Sequence, residues 1–193
     1  TENHGMHGVQ DLANVLRRAG RNFGIVTGHY LEEPVRSEVA GWCAAARAAA
    51  TLRGMRVALL GYPMQGMGDF GIDETALLTQ VGPEVRHVPM RAVAERAAAA
   101  PPDAIAQQMA KDRRNFHFEA GITEEEHAAS SRLEWALRDI LAEGGMQGFT
   151  YHFSAVGEEG WLETVPFLAA AKLLGEGYGF GGEGDVTSAA AGA

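Results

Sequence analysis

Apolar positions recur along this chain at two spacings, and their alternation predicts a fold of strands and helices. Residues 7–19 carry Val9, Leu12, Ala13, Val15 and Leu16 at helical intervals, and Gly20 supplies a stop. Residues 22–27 (NFGIVT) form an apolar run of strand length. Residues 34–53 are rich in alanine, with Val35, Val39, Trp42 and Ala46 on one face and Pro34 where a helix can start. Residues 56–61 (RVALLG) predict a second strand, 72–80 a short helix and 84–88 a third strand. Residues 92–100 and 104–112 predict helices split by Pro101-Pro102, a turn or a hinge. Thr123 followed by Glu124, Glu125 and Glu126 is a capping box, with an acidic first turn that complements the helix dipole. That helix should stop at Gly144-Gly145. Residues 148–153 (GFTYHF) predict a fourth strand, 161–176 an amphipathic helix and 177–184 a Gly-rich loop.

Strands that alternate with helices imply parallel βαβ units. The expected fold is α/β: a layered parallel sheet with helices on both faces, Rossmann-like or flavodoxin-like. Ligands in such sheets bind at the carboxyl ends of the strands. The loops after Thr27, Gly61 and Phe153 should therefore share one functional rim.

Composition narrows the partners. The 193 residues carry a formal net charge of −9 and no long basic cluster, which disfavours nucleic acid and anionic membrane. No apolar run is long enough to span a bilayer. The single cysteine, Cys43, excludes an internal disulfide, fits a reducing, cytoplasmic setting, and is expected to be a small buried core thiol. Both ends read as cut: the first residues resemble a loop after an absent strand, and the last resemble the first turns of a helix with nothing to pack against.

Residues 66–71 (GMGDFG) match G-x-G-x-x-G after a strand and before a helix, the pattern of a dinucleotide site. The match starts four residues late, whereas true fingerprint glycines turn directly off the strand. The competing reading is a long rim loop whose glycines allow close packing. Residues 177–185 (GYGFGGEGD) place Glu183 and Asp185 among five glycines. A carboxylate held in that way suits a metal ligand or a base; otherwise Glu183 is solvated and Asp185 caps the next helix. His4, His7, His29 and His152 fall at predicted strand ends or helix starts, whereas His87, His117 and His127 look ordinary.

Three segments, HGMHGVQDLANVLRRAGRNFGIVTGHY, GYPMQGMGDFGIDE and EGYGFGGEGD, resemble the L-arabinose isomerases in sequence and in order. The resemblance implies an aldose–ketose isomerase of the L-arabinose to L-ribulose type, working through an ene-diol with Mn²⁺. It implies that Glu183 binds the metal and moves the proton. Met64 would line the sugar pocket, Phe153 would pack on the sugar, and His7, with His4, would reach into a neighbouring subunit's site in a homo-oligomer. The chain would then be a fragment, with residues 1–150 a central domain and 151–193 its end plus the start of a catalytic C-terminal domain. The remaining metal ligands would lie beyond Ala193. One departure stands out: after Phe153 the family continues with an Asp-Leu-His-Gly-type segment, and this chain has Ser154-Ala155-Val156-Gly157-Glu158-Glu159-Gly160-Trp161. A sugar-binding module without catalysis is the alternative function.

Overall fold

The computed structural model describes residues 5–193, so His4 lies outside the described residues. The chain divides into two compact units, Thr1–Ala50 and Thr51–Ala193. The first holds α1 (Gly5–Arg18) and most of α2 (Glu33–Gly54), and neither helix has a buried residue. Cys43 is therefore exposed, not the buried core thiol expected. The run at residues 22–27 forms no strand. A strand needs a neighbour for its N–H and C=O groups, and every strand of the described sheet lies in the second unit.

In the second unit a four-stranded, all-parallel sheet has the order β2-β1-β3-β4. β1 (Arg56–Leu60) sits inside it, between β2 (Glu84–Val88) and β3 (Gly148–Tyr151). Its residues Val57 to Leu60 are all buried, as an inner parallel strand covered on both faces requires. Ala58 and Leu60 face one core with Phe149 and Tyr151 of β3. That core is closed by α4 (Met90–Ala98), α6 (Glu124–Gly144) and α7 (Phe167–Gly175). Val57 and Leu59 face a second core with Leu77 of α3 (Glu74–Gln80) and Val186, Ala189 and Ala190 of α8 (Val186–Ala191). Helices on both faces of a parallel sheet are as expected.

α6 starts on the capping box: Thr123 accepts from the Glu126 N–H at 3.2 Å, and Glu126 accepts from the Thr123 N–H at 2.8 Å. It ends at Gly145 in the left-handed region. α5 (Pro102–Asn115) begins on Pro102, so the proline pair is a helix start. Lys172 of α7 lies between Asp112 of α5, at 2.6 Å, and Glu134 of α6. Both carboxylates are almost fully buried, so this one ammonium ties three helices together.

Four expectations change. The fourth strand ends at Tyr151, and a 3-10 turn follows at Phe153–Ala155. The helix predicted over 161–176 starts only at Phe167, because Pro166 keeps the residue before it out of the helical region. Inside the predicted Gly-rich loop, Gly179–Gly181 forms β4 on the edge beside β3. The C-terminal helix does find a packing partner: α8 lies directly on the sheet. A Cβ at Gly179 would sit 1.8 Å from the Ala189 carbonyl oxygen, so the glycine is what lets α8 approach.

Candidate active site

Three loops leave the carboxyl ends of adjacent strands on one rim: Gly61 to Met64 after β1, His152 and Phe153 after β3, and Gly182 to Gly184 after β4. The loop expected after Thr27 does not follow a strand. His29, which sits there, is exposed and accepts from the Leu31 N–H through Nδ1 at 3.3 Å.

Glu183 is half-buried in the loop after β4. Its φ is 61°, the single left-handed non-glycine among the described residues. That conformation costs a non-glycine residue roughly 1–2 kcal/mol, and the neighbours hold it in place. The Glu183 carbonyl accepts from the Met64 N–H at 2.8 Å. The next N–H, of Gly184, donates to the buried Thr150 hydroxyl at 3.0 Å. Gly184 has a φ of 90°, and a Cβ there would lie 2.4 Å from the Pro63 Cα. The loops after β1 and β4 thus meet backbone to backbone, and Thr150 of β3 fastens the second of them. Thr150 escaped the sequence reading because an inward threonine in a strand looks like ordinary core.

Met64 and Phe153 are both half-buried. The Phe153 ring meets Tyr151 and Phe167 edge-on, with centroids at 5.4 and 5.9 Å. Its Cζ is 3.8 Å from where a Cβ at Gly182 would stand, so Phe153 borders the Glu183 loop. Met64, Phe153 and Glu183 therefore share one rim. His7 is exposed on α1, in the first unit.

Asp185 is the cap that the alternative reading assigned it. It accepts from the Ser188 N–H at 2.9 Å and from the Thr187 and Ser188 hydroxyls, each at 2.5 Å. Burial opposes its ionisation, but these bonds prevail and hold its pKa below the usual carboxylate value.

The rim also holds a cluster of which the sequence marked only His152. His152 is fully buried, and neither ring nitrogen has a hydrogen-bond partner. Its ring stacks on Tyr62 with centroids 3.9 Å apart and planes at 21°. The Tyr62 hydroxyl donates to Oε1 of Glu159, and Oε2 of Glu159 is 3.8 Å from Nε2 of His152. Burial pushes the His152 pKa down against the pull of the Glu159 charge, and the bond to Glu159 pushes the Tyr62 pKa up. The signal available was the position of His152 at a strand end. Of its partners, Glu159 follows in the same loop, and Tyr62 comes from the distant loop after β1.

Glu183 offers the hard oxygen that a divalent ion prefers, yet such an ion takes about six ligands. Among the described residues no group of three or more His, Cys, Asp or Glu could hold a metal. The described residues therefore bring no complete metal site together. The loop with the glycines of residues 66–71 runs from the end of β1 to Asp73, the cap of α3, so no helix N-terminus meets the strand end as a dinucleotide fold requires. Nor do these glycines pack closely, since a Cβ at Gly66, Gly68 or Gly71 would meet open space. No helix among the described residues is long and apolar enough to cross a membrane.

Residues 56–192 match the L-arabinose isomerase central domain. Among curated relatives, the L-arabinose isomerase of Nocardioides sp. is 32% identical over 189 residues, covering 95% of this chain and 37% of that protein. Those of Clavibacter sepedonicus and Cellvibrio japonicus are 30% and 25% identical, over 95% and 97% of this chain and 37% and 38% of their own lengths. The chain thus spans 37–38% of the length of these relatives.

Proposed function

Because this chain belongs to the L-arabinose isomerase family, we propose that it is part of a sugar isomerase that interconverts an aldose and its ketose, with L-arabinose and L-ribulose the expected pair. Glu183 carries the proposal. A carboxylate kept in a left-handed conformation, beside Met64 and within reach of the Phe153 wall, is a strained residue at a ligand rim, where strain accompanies function.

Glu183 would be the ligand that this chain contributes to a divalent-metal site, with Mn²⁺ as the expected ion. Such an ion, when bound, polarises the sugar carbonyl and the adjacent hydroxyl. The second oxygen of Glu183 would hold the proton that moves between C1 and C2 as the ene-diol forms and collapses. Met64 and Phe153 would present apolar surface to the sugar and keep water from the ene-diol. Residues 151–193 lead toward the domain that would bring the other ligands. His7, together with His4, would serve a neighbouring subunit's site in a cytoplasmic homo-oligomer.

The test compares two variants of the full-length parent. Glu183→Gln keeps size but loses the charge and the proton-accepting oxygen. Turnover should fall by roughly 10²–10⁴-fold and Mn²⁺ affinity should weaken, with the thermal midpoint held. Asp185→Asn should leave turnover and midpoint close to wild type, because Asn caps about as well as Asp. A Glu183→Gln enzyme with near-normal turnover and metal affinity would refute the assignment.

A further inference from the structure

The loop after β3 closes on the buried histidine of the rim. Glu159 belongs to that loop, and its two oxygens face Tyr62 and His152. Building on the isomerase function above, we propose that Tyr62 and Glu159 bind the sugar through hydroxyls beyond the reacting carbons. His152 is the positioning residue that holds them, and the trio sets which sugar is preferred.

Location comes first. Tyr62 stands two residues before Met64, whose N–H is bonded to the Glu183 carbonyl, and His152 and Glu159 lie in the neighbouring loop after β3, so the trio borders the same rim. Tyr62 is 38% exposed and the Glu159 side chain 27%, so a ligand on the rim can reach both. His152 is sealed beneath them.

The chemistry fits a polyol. A carboxylate has about four acceptor positions, and the Tyr62 hydroxyl uses one of them. The rest can accept from sugar hydroxyls. The phenol oxygen, with its proton committed to Glu159, keeps its lone pairs free to accept from another. A site built to bond a hydroxyl discriminates strongly against sugars that place it elsewhere, because its polar groups are then left unpaired.

His152 explains why the pair stays in place. An imidazole with no hydrogen bond is a costly thing to bury, so its retention calls for a reason. The neutral ring packs flat against Tyr62 and fixes that ring's plane. Its Nε2 is one small step from hydrogen-bonding Glu159, a step that an arriving ligand can drive. Gly61 makes the room: a side chain there would come within 2.5 Å of that nitrogen.

The experiment uses the full-length enzyme and a panel of aldopentoses and aldohexoses that differ in configuration beyond C2. Tyr62→Phe and Glu159→Gln should each raise KM for the preferred sugar roughly 10- to 100-fold, the loss of a bond to a charged group. kcat should fall less, and the ranking of sugars should flatten. His152→Phe, which keeps the stack, should hold the ranking better than His152→Ala, a difference that folding alone does not produce. An active parent whose Tyr62→Phe and Glu159→Gln variants keep wild-type KM and ranking would overturn the role of the trio and leave the isomerase function standing. A parent with no activity on any aldose would overturn both.

Discussion

At residue 183 the backbone and the chemistry make opposite demands. The φ of 61° suits glycine, and the position holds glutamate. Glycine at 183 should therefore fold at least as well as alanine, which has a Cβ but no function. We expect Glu183→Gly to exceed Glu183→Ala in unfolding free energy by about 1 kcal/mol, less a few tenths for the greater freedom of glycine in the unfolded chain. Both should be inactive in the parent enzyme. Urea denaturation of the two variants checks the first point, and equal stabilities would mean that residue 183 is not held left-handed. Thr150 belongs to the same scale: one buried hydroxyl bonded to the Gly184 N–H fixes the loop that carries Glu183.

At the scale of elements, two contacts decide how helices sit on the sheet. α8 rests on β3 and β4 because Gly148, Gly179 and Gly181 expose bare backbone to it. Gly179→Ala would put a methyl group inside the Ala189 carbonyl, so either α8 moves or β4 does. The expected cost is about 1–3 kcal/mol, seen as a lower thermal midpoint and faster amide exchange in β4 and α8. A midpoint equal to wild type would show that the close approach is not enforced. On the opposite face, Lys172 pairs with Asp112 and Glu134 where α5, α6 and α7 meet, and Arg138 shares Glu134 at 2.9 Å. Lys172→Met keeps the stem but removes the ammonium that both buried carboxylates share, leaving Asp112 without a cationic Lys or Arg partner and Glu134 with Arg138 alone. A loss of about 3–5 kcal/mol follows, and double replacement with Glu134→Gln should restore part of it. No recovery in the double variant would place the damage in packing and not in charge.

For the molecule as a whole, the chain supplies a sheet, a rim and, in the proposed function, one metal ligand. Purified alone and given Mn²⁺ and L-arabinose, it should form no ketose above a metal-free blank, since one carboxylate does not hold a divalent ion against water. Ketose formation by the isolated chain would mean that the site is complete within residues 1–193.

Much of the architecture follows from local pattern. The apolar run of β1, the capping box at Thr123, the stop at Gly145 and the proline start of α5 are each set by residues within one turn or one strand. The Gly177–Asp185 composition also drew attention to Glu183 and Asp185, and the cap reading of Asp185 is the one the structure shows. Distant contacts decided the rest. An apolar run at residues 22–27 has strand composition, but a ladder needs a neighbour, and none pairs with it among the described residues. β4 is three residues flanked by glycine and has no strand propensity worth the name; it is a strand because β3 offers a free edge beside it. Likewise no spacing rule brings Tyr62, His152 and Glu159 together across 97 residues of chain. Hydrophobic period and capping act over a few residues and are written in order along the sequence. Strand pairing, helix seating and the meeting of side chains at a rim depend on which surfaces find each other, and only the folded chain determines that.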